Sequence, residues 1–216
     1  SFFSSMVFTN DVALLTLVPL ALMIGKKSGL DIMQTVILQT LAANIGSSLT
    51  PMGNPQNLYL FSFYGLKASQ FFATVGIFSA TGFLWLLLLN RMCKNTMLQF
   101  TLDTVEIKDK KRAALWGAVF VFIVLSVFGI VPYSAAFLVT VAAALLLNRR
   151  LLLKADYPLL ITFICFFIFI GNISHIPVVN TWMKGLLGSG TSTYFSSIVL
   201  SQAISNVPSA ILLSGF

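Results

Sequence analysis

The polar residues with the most chemistry to offer lie in three stretches of an otherwise apolar chain: Thr9-Asn10-Asp11, Asn44 to Asn57, and Ser205-Asn206-Val207-Pro208-Ser209. In the first, Asn10 or Thr9 can cap a helix that begins near Val12. That helix's N-terminus carries partial positive charge and free N–H groups, which suit an anion. The carbonyls closing the arm before it suit a cation. Asp11 differs from the other acidic residues. Asp31, Asp103, Glu106, Asp109 and Asp156 fall in or beside polar connectors, whereas Asp11 falls within an apolar unit. A carboxyl there can bind Na⁺, carry a proton, or hold its charge against the helix N-terminus.

The second stretch interrupts an apolar crossing with two glycines, two prolines, three asparagines, two serines and a threonine. Irregular backbone at membrane depth survives only when buried in protein or lining a cavity. Its carbonyls and side-chain oxygens are hard ligands, suited to an ion such as Na⁺. Gly46, Ser47, Ser48, Thr50, Gly53 and Asn54 are the candidates there, with Asn10 and Asp11, for binding a cation or relaying a proton. Asn54-Pro55 also reads as a helix start, Asn as cap and Pro as first residue. In the third stretch Asn206 reads as a cap, with Pro208 in the first turn where its missing N–H is harmless. Thr9, Asn10, Ser205, Asn206 and Val207 are the candidates for substrate contact.

The elements that must position these groups are helices in a bilayer. The chain of 216 residues is 57% hydrophobic and 9% charged, against about 25% charged in soluble domains. Several apolar runs reach the roughly 18–20 residues that a spanning helix needs. Residues 12–24 and 31–45 are shorter and read as re-entrant or broken elements. A helix resumes near Pro55 and runs to about Tyr64. Full or near-full spans follow at about 70–90, 113–131, 133–148 and 158–174, and two short helical runs meet around 205–208. The expected organisation is one membrane domain over 1–216. An inner hairpin and first broken helix occupy 1–66, spanning helices 70–174 with a polar connector at 91–112, and an outer hairpin 190–216. The connector can also be an amphipathic surface helix, with Met97, Leu98, Phe100 and Leu102 on one side.

Charge placement tests this order. With Lys26 and Lys27 in the cytoplasm and 31–66 crossing once, Arg91, Lys94, Lys108, Lys110, Lys111, Arg112, Arg149, Arg150 and Lys154 also fall inside, and Lys67 and Lys184 outside. That is the bias of the positive-inside rule, and it accounts for the net charge of +7 without nucleic acid. The localisation expected is an integral protein of a bacterial plasma membrane, its Lys/Arg-rich connectors cytoplasmic. The chain begins without Met or a basic leader and stops within an apolar run, so both ends are expected to be cut from a longer protein. Cys93 and Cys165 show no framework spacing, and no Cys/His cluster makes a zinc site. No cofactor is expected beyond a coupling ion, and His175 receives no role.

An internal echo joins the ends. Phe3-Ser4-Ser5-Met6-Val7 resembles Phe195-Ser196-Ser197-Ile198-Val199, and Thr9-Asn10-Asp11 resembles Ser205-Asn206-Val207. By the charge count the first unit enters from the cytoplasm and the second from outside. Inverted repeats with broken helices are how many secondary transporters build a midplane site. The fold class expected is therefore all-α integral membrane, a polytopic transporter with re-entrant hairpins and broken helices in inverted repeats.

At TNDVALLTLVPLAL, ANIGSSLTPMGNPQNLYL and SQAISNVPSAILLSGF the chain resembles the ion transporter superfamily. That group holds divalent-anion/sodium symporters, citrate transporters, arsenite permeases and some sodium/proton antiporters. The resemblance implies that Thr9-Asn10-Asp11 tips an inner hairpin, that residues 46–54 are the unwound loop of a broken helix, and that Ser205-Asn206-Val207 tips an outer hairpin. It also implies a homodimer with elevator-like movement. The symporters carry Ser-Asn-Thr at the tips, where this chain has Thr-Asn-Asp and Ser-Asn-Val-Pro; the Asn-Asp version is closer to the arsenite-permease and antiporter branches. The leading expectation is a non-enzymatic, Na⁺- or H⁺-coupled permease for a small anion such as citrate or a C4-dicarboxylate. The alternative is an arsenite permease or sodium/proton antiporter, with Asp11 exchanging the proton. An intramembrane protease is the distant rival. It would need a second membrane carboxylate, or His175 meeting a serine such as Ser205.

Overall fold

The computed structural model describes residues 1–93 and 109–216, and the possible surface helix at 97–102 lies outside them. The described residues form twelve α-helices. The first hairpin is α1 (Phe2–Val7) and α2 (Asn10–Ser28), separated by Phe8-Thr9. Thr9 supplies the cap: its hydroxyl accepts from the Val12 N–H at 3.3 Å. The α2 helix ends where Gly29 takes the left-handed conformation at φ 66°, which glycine adopts without a Cβ penalty.

The broken element is α3 (Met33–Ser47) and α4 (Pro55–Phe63). Both α1 and α2 pack on α3. A methyl on Gly46 of α3 would run into the Phe2 carbonyl and lie 2.7 Å from the Ser5 hydroxyl, so glycine permits the α1 contact. The long helix α5 (Ala68–Met92) covers α3. Gly82 sits against Ile45, Phe83 stacks near Phe2 and Phe3, and the Ser48 and Ser79 hydroxyls pair at 2.8 Å. Then come α6 (Lys110–Val127) and α7 (Tyr133–Asn148), packed as a pair about Gly129, followed by short α8 (Arg150–Leu153). α9 (Tyr157–Ile173) bends by 99° into α10 (Pro177–Leu186). The last hairpin is α11 (Gly190–Ile204) and α12 (Asn206–Ser214), with α12 resting on α4 and α9.

Of the described helices only α5 is long and apolar enough to cross a bilayer alone, and α9 with α10 passes as a bent pair. The 16-residue α7 is apolar but short for a full crossing. Leu15, Ile77 and Leu146 are 76%, 77% and 85% exposed, on surfaces that water would not favour. The units carrying the sequence echo are both helix–break–helix. The first arms differ in length, six residues in α1 and fifteen in α11.

One reading changes and one helix is added. Asn206 is not the cap of the last helix but its first helical residue; the cap position falls on Ser205, whose side chain makes no capping bond. Ser205 takes φ 72°, ψ 163°, the sole positive φ outside glycine among the described residues. The chain turns at that residue, so the helix starts one position earlier than side-chain type indicates. The added helix is α10. Its amphipathic decapeptide lacks the apolar run by which the other helices are read.

Candidate functional site at the tip and the unwound loop

The loop 48–54 is organised by two asparagines. Asn54 caps α4, its Oδ1 accepting from the Asn57 N–H at 2.9 Å, with Pro55 as first helical residue. The Asn54 amide donates to the Ser47 carbonyl at 3.3 Å and the Ser47 hydroxyl at 3.4 Å. The Asn57 amide nitrogen donates towards three carbonyls, those of Ser47 at 3.4 Å, Ser48 at 2.9 Å and Thr50 at 3.2 Å. These carbonyls come from the unwound end of α3, where intrahelical partners run out. Ser47, Pro51, Gly53 and Asn54 are buried. Gly53 approaches so closely that a methyl there would overlap the Ser47 carbonyl oxygen.

The first hairpin tip docks on this loop. The Asn10 N–H donates to the Gly53 carbonyl at 3.0 Å. The Asn10 side-chain amide donates to Asn44 Oδ1 at 3.3 Å, and the Thr50 hydroxyl donates to the Met6 carbonyl at 2.7 Å. Of the candidate residues, the bonds of this seam bring Asn10 to Gly53 and the arm before it to Thr50, while Thr9 bonds within α2 and Gly46 faces Phe2 and Ser5. Asp11 stands in the first turn of α2, at a groove of about 540 Å³ between α2 and α3 that is otherwise lined by Leu14, Leu15, Val18, Pro19, Val36 and Thr40.

The second tip does not join that seam. Asn206 instead lines a cavity of about 420 Å³ between α4, α11 and α12, which it shares with Gln56, Ser197, Ser201 and Ser209. No hydrogen bond among the described residues links Ser205, Asn206 or Val207 to Asn10 or the loop 48–54. Both tips nonetheless neighbour α4, Asn10 through Gly53 just before its start and Asn206 through Gln56 in its first turn.

Asn44, Gln56 and Asn57 lie in the stretch singled out in the sequence but were not among its named candidates, and Ser79 was missed altogether. Asn57 carried one readable signal: it stands three residues after Asn54, within reach of the same helix start. Ser79 carried none, being one hydroxyl within a long apolar helix.

One capped hairpin tip, a helix broken at a polar loop and apolar outer surfaces fit an all-α membrane protein. A family model described as citrate transporter matches residues 1–215. The chain belongs to the citrate transporter family. It is 34% identical over 98% of its length to an uncharacterized transporter of Methanocaldococcus jannaschii, and 34% identical over 96% to the inner membrane protein YbiR of Escherichia coli. A Dictyostelium discoideum protein named as transporter arsB is 32% identical over 49% of the chain and 17% of that relative. The chain spans 58% and 56% of the first two relatives. No solved structure matches.

Proposed function

We propose that the protein is a cation-coupled permease for a small anion such as citrate or a C4-dicarboxylate, driven by Na⁺ or H⁺. The observation that carries this reading is the docking of the first hairpin tip on the unwound loop, Asn10 N–H to Gly53 carbonyl at 3.0 Å, in a chain of the citrate transporter family. On this reading Thr9, Asn10, Ser205, Asn206 and Val207 meet the substrate. The coupling cation lies at the seam of Asn10 and Asp11 with Gly46, Ser47, Ser48, Thr50, Gly53 and Asn54. Helix N-termini and the bound cation offset the substrate's charge. The working unit is a homodimer in a bacterial plasma membrane, with its Lys/Arg-rich connectors cytoplasmic. No other cofactor and no nucleic acid take part.

The test is uptake of labelled citrate and succinate by full-length protein in proteoliposomes, under imposed Na⁺ or H⁺ gradients. Uptake driven by one gradient, and lost in folded Asn10→Ala and Asn206→Ala variants, is the expected result. The absence of uptake under either gradient would sink the reading.

A second reading within transport, an arsenite permease or sodium/proton antiporter, is favoured by the position of Asp11, a carboxyl at a largely apolar groove beside the tip. It predicts that Asp11→Asn abolishes proton-linked flux of arsenite or Na⁺ while leaving the protein folded. Unchanged flux and unchanged pH dependence would remove Asp11 from the mechanism.

A further inference from the structure

The breaking of α3 frees backbone carbonyls that must find donors or a cation. Three of them, from Ser47, Ser48 and Thr50, converge on one point. Convergent carbonyls replacing a hydration shell are the means by which proteins hold bare monovalent cations. Here the point is held by the Asn57 amide nitrogen, at 3.4, 2.9 and 3.2 Å. Two of the three oxygens have a second donor as well. The Ser47 carbonyl receives a second donor from the Asn54 amide at 3.3 Å, and the Thr50 carbonyl a second from the Gly53 N–H at 3.2 Å. A carbonyl oxygen has two lone pairs, so neither keeps one for an ion.

Nor is the loop's shape free to relax around an incoming cation. Gly53 abuts the Ser47 carbonyl, Pro51 is fully buried, and the Thr50 hydroxyl is held by the Met6 carbonyl at 2.7 Å. An amide NH₂ carries partial positive charge on two hydrogens and brings no net charge, so it can satisfy these oxygens without an ion.

We infer that the Asn57 side chain is a built-in substitute for a cation, closing the carbonyl ring of Ser47, Ser48 and Thr50 so that the unwound loop holds its form without bound Na⁺. Asn57 is thus a positioning residue. The inference rests on the proposed cation-coupled transport and narrows it: the coupling ion is confined to the Asn10–Asp11 side of the seam.

The test is hydrogen exchange of the loop amides 48–54 in full-length protein in nanodiscs, in NaCl and in choline chloride, with uptake under Na⁺ and H⁺ gradients measured on the same preparation. The wild-type loop is expected to exchange equally in both salts. Asn57→Ala is expected to exchange faster in both by about tenfold or more, one net hydrogen bond or more being lost. Asn57→Asp places a carboxylate among carbonyls and is expected to exchange fast in choline and to recover protection in Na⁺. Protection of the wild-type loop by Na⁺ would overturn the inference, as would a folded Asn57→Asp loop indifferent to Na⁺. If Asn57→Asp does not fold, the wild-type comparison decides alone. Na⁺-driven uptake with an indifferent loop leaves the inference standing. Failure of uptake with an indifferent loop refutes the permease reading and not the role of Asn57.

Discussion

Replacing Gly53 by alanine asks whether the close approach of the unwound loop to the end of α3 is required. The added methyl would overlap the Ser47 carbonyl oxygen and lie 2.7 Å from the Ser47 carbonyl carbon and Cα. These are backbone atoms, so no side-chain rotation relieves the clash. Overpacking of this kind costs about 1–3 kcal/mol. Displacing residue 53 also strains the bond that the Asn10 N–H donates to the Gly53 carbonyl at 3.0 Å, worth about 0.5–1.5 kcal/mol. The sum is roughly 1.5–4.5 kcal/mol, and at about 2–4 °C per kcal/mol for a chain of this size the melting temperature falls by roughly 3–18 °C. Gly76→Ala is the control. It lies within α5 with nothing near its added methyl, so alanine there is neutral or stabilises by up to about 1 kcal/mol. Thermal unfolding of both variants in the same detergent gives the comparison. If Gly53→Ala melted with Gly76→Ala, the packing of the loop on Ser47 would be wrong.

Thr9→Val removes the hydroxyl that accepts from the Val12 N–H at 3.3 Å and is expected to lower stability by about 1 kcal/mol. Thr9→Ser should retain nearly all of it, and equal losses in thermal melts of the two variants would show that the cap contributes nothing. Ser205→Gly relieves a residue held at φ 72°, ψ 163°, a region that costs a non-glycine residue about 1–3 kcal/mol. It is expected to raise the melting temperature, and a fall would show that the Ser205 side chain contributes more than its backbone costs.

Much of the helical order was legible because lipid-facing helices announce themselves by apolar runs, and their breaks by Gly, Pro and Asn. Asn54 and Pro55 were readable as cap and first residue because both preferences are local. The start of α12 was misplaced by one residue for a complementary reason. Ser205 and Asn206 are both good cap types, and the choice between them is made by the chain reversal at Ser205, which no local preference encodes. α10 was missed because Pro177–Leu186 buries Met183 and exposes Val178 and Trp182, an amphipathic pattern over too few residues to stand out. The candidate residues around 46–54 were legible as a group, since polar residues in an apolar crossing need partners. Their partners were not. The convergence of three carbonyls on Asn57 depends on the path of the loop between α3 and α4, and residue spacing does not specify that path.

The two tips resemble each other in sequence, yet what they share in the structure is a neighbour. The first tip bonds to Gly53 just before α4, and the second shares a cavity with Gln56 in the first turn of α4. Further along, the Tyr59 hydroxyl meets the Ser214 hydroxyl at 2.6 Å, so α12 is tied to the same nine-residue helix. Against α5 the broken element makes apolar contacts, as at Gly82 and Ile45, and one hydroxyl pair, Ser48 with Ser79. The polar ties thus bind the first hairpin to α3 and the loop before α4, and the second to α4, while the face towards α5 is held mostly by non-directional packing. Apolar contact can slide where hydrogen-bonded backbone cannot without loss of its partners. Directional bonds therefore fix the tips on the broken element and α4, whereas α5 is held against the broken element chiefly by packing without direction.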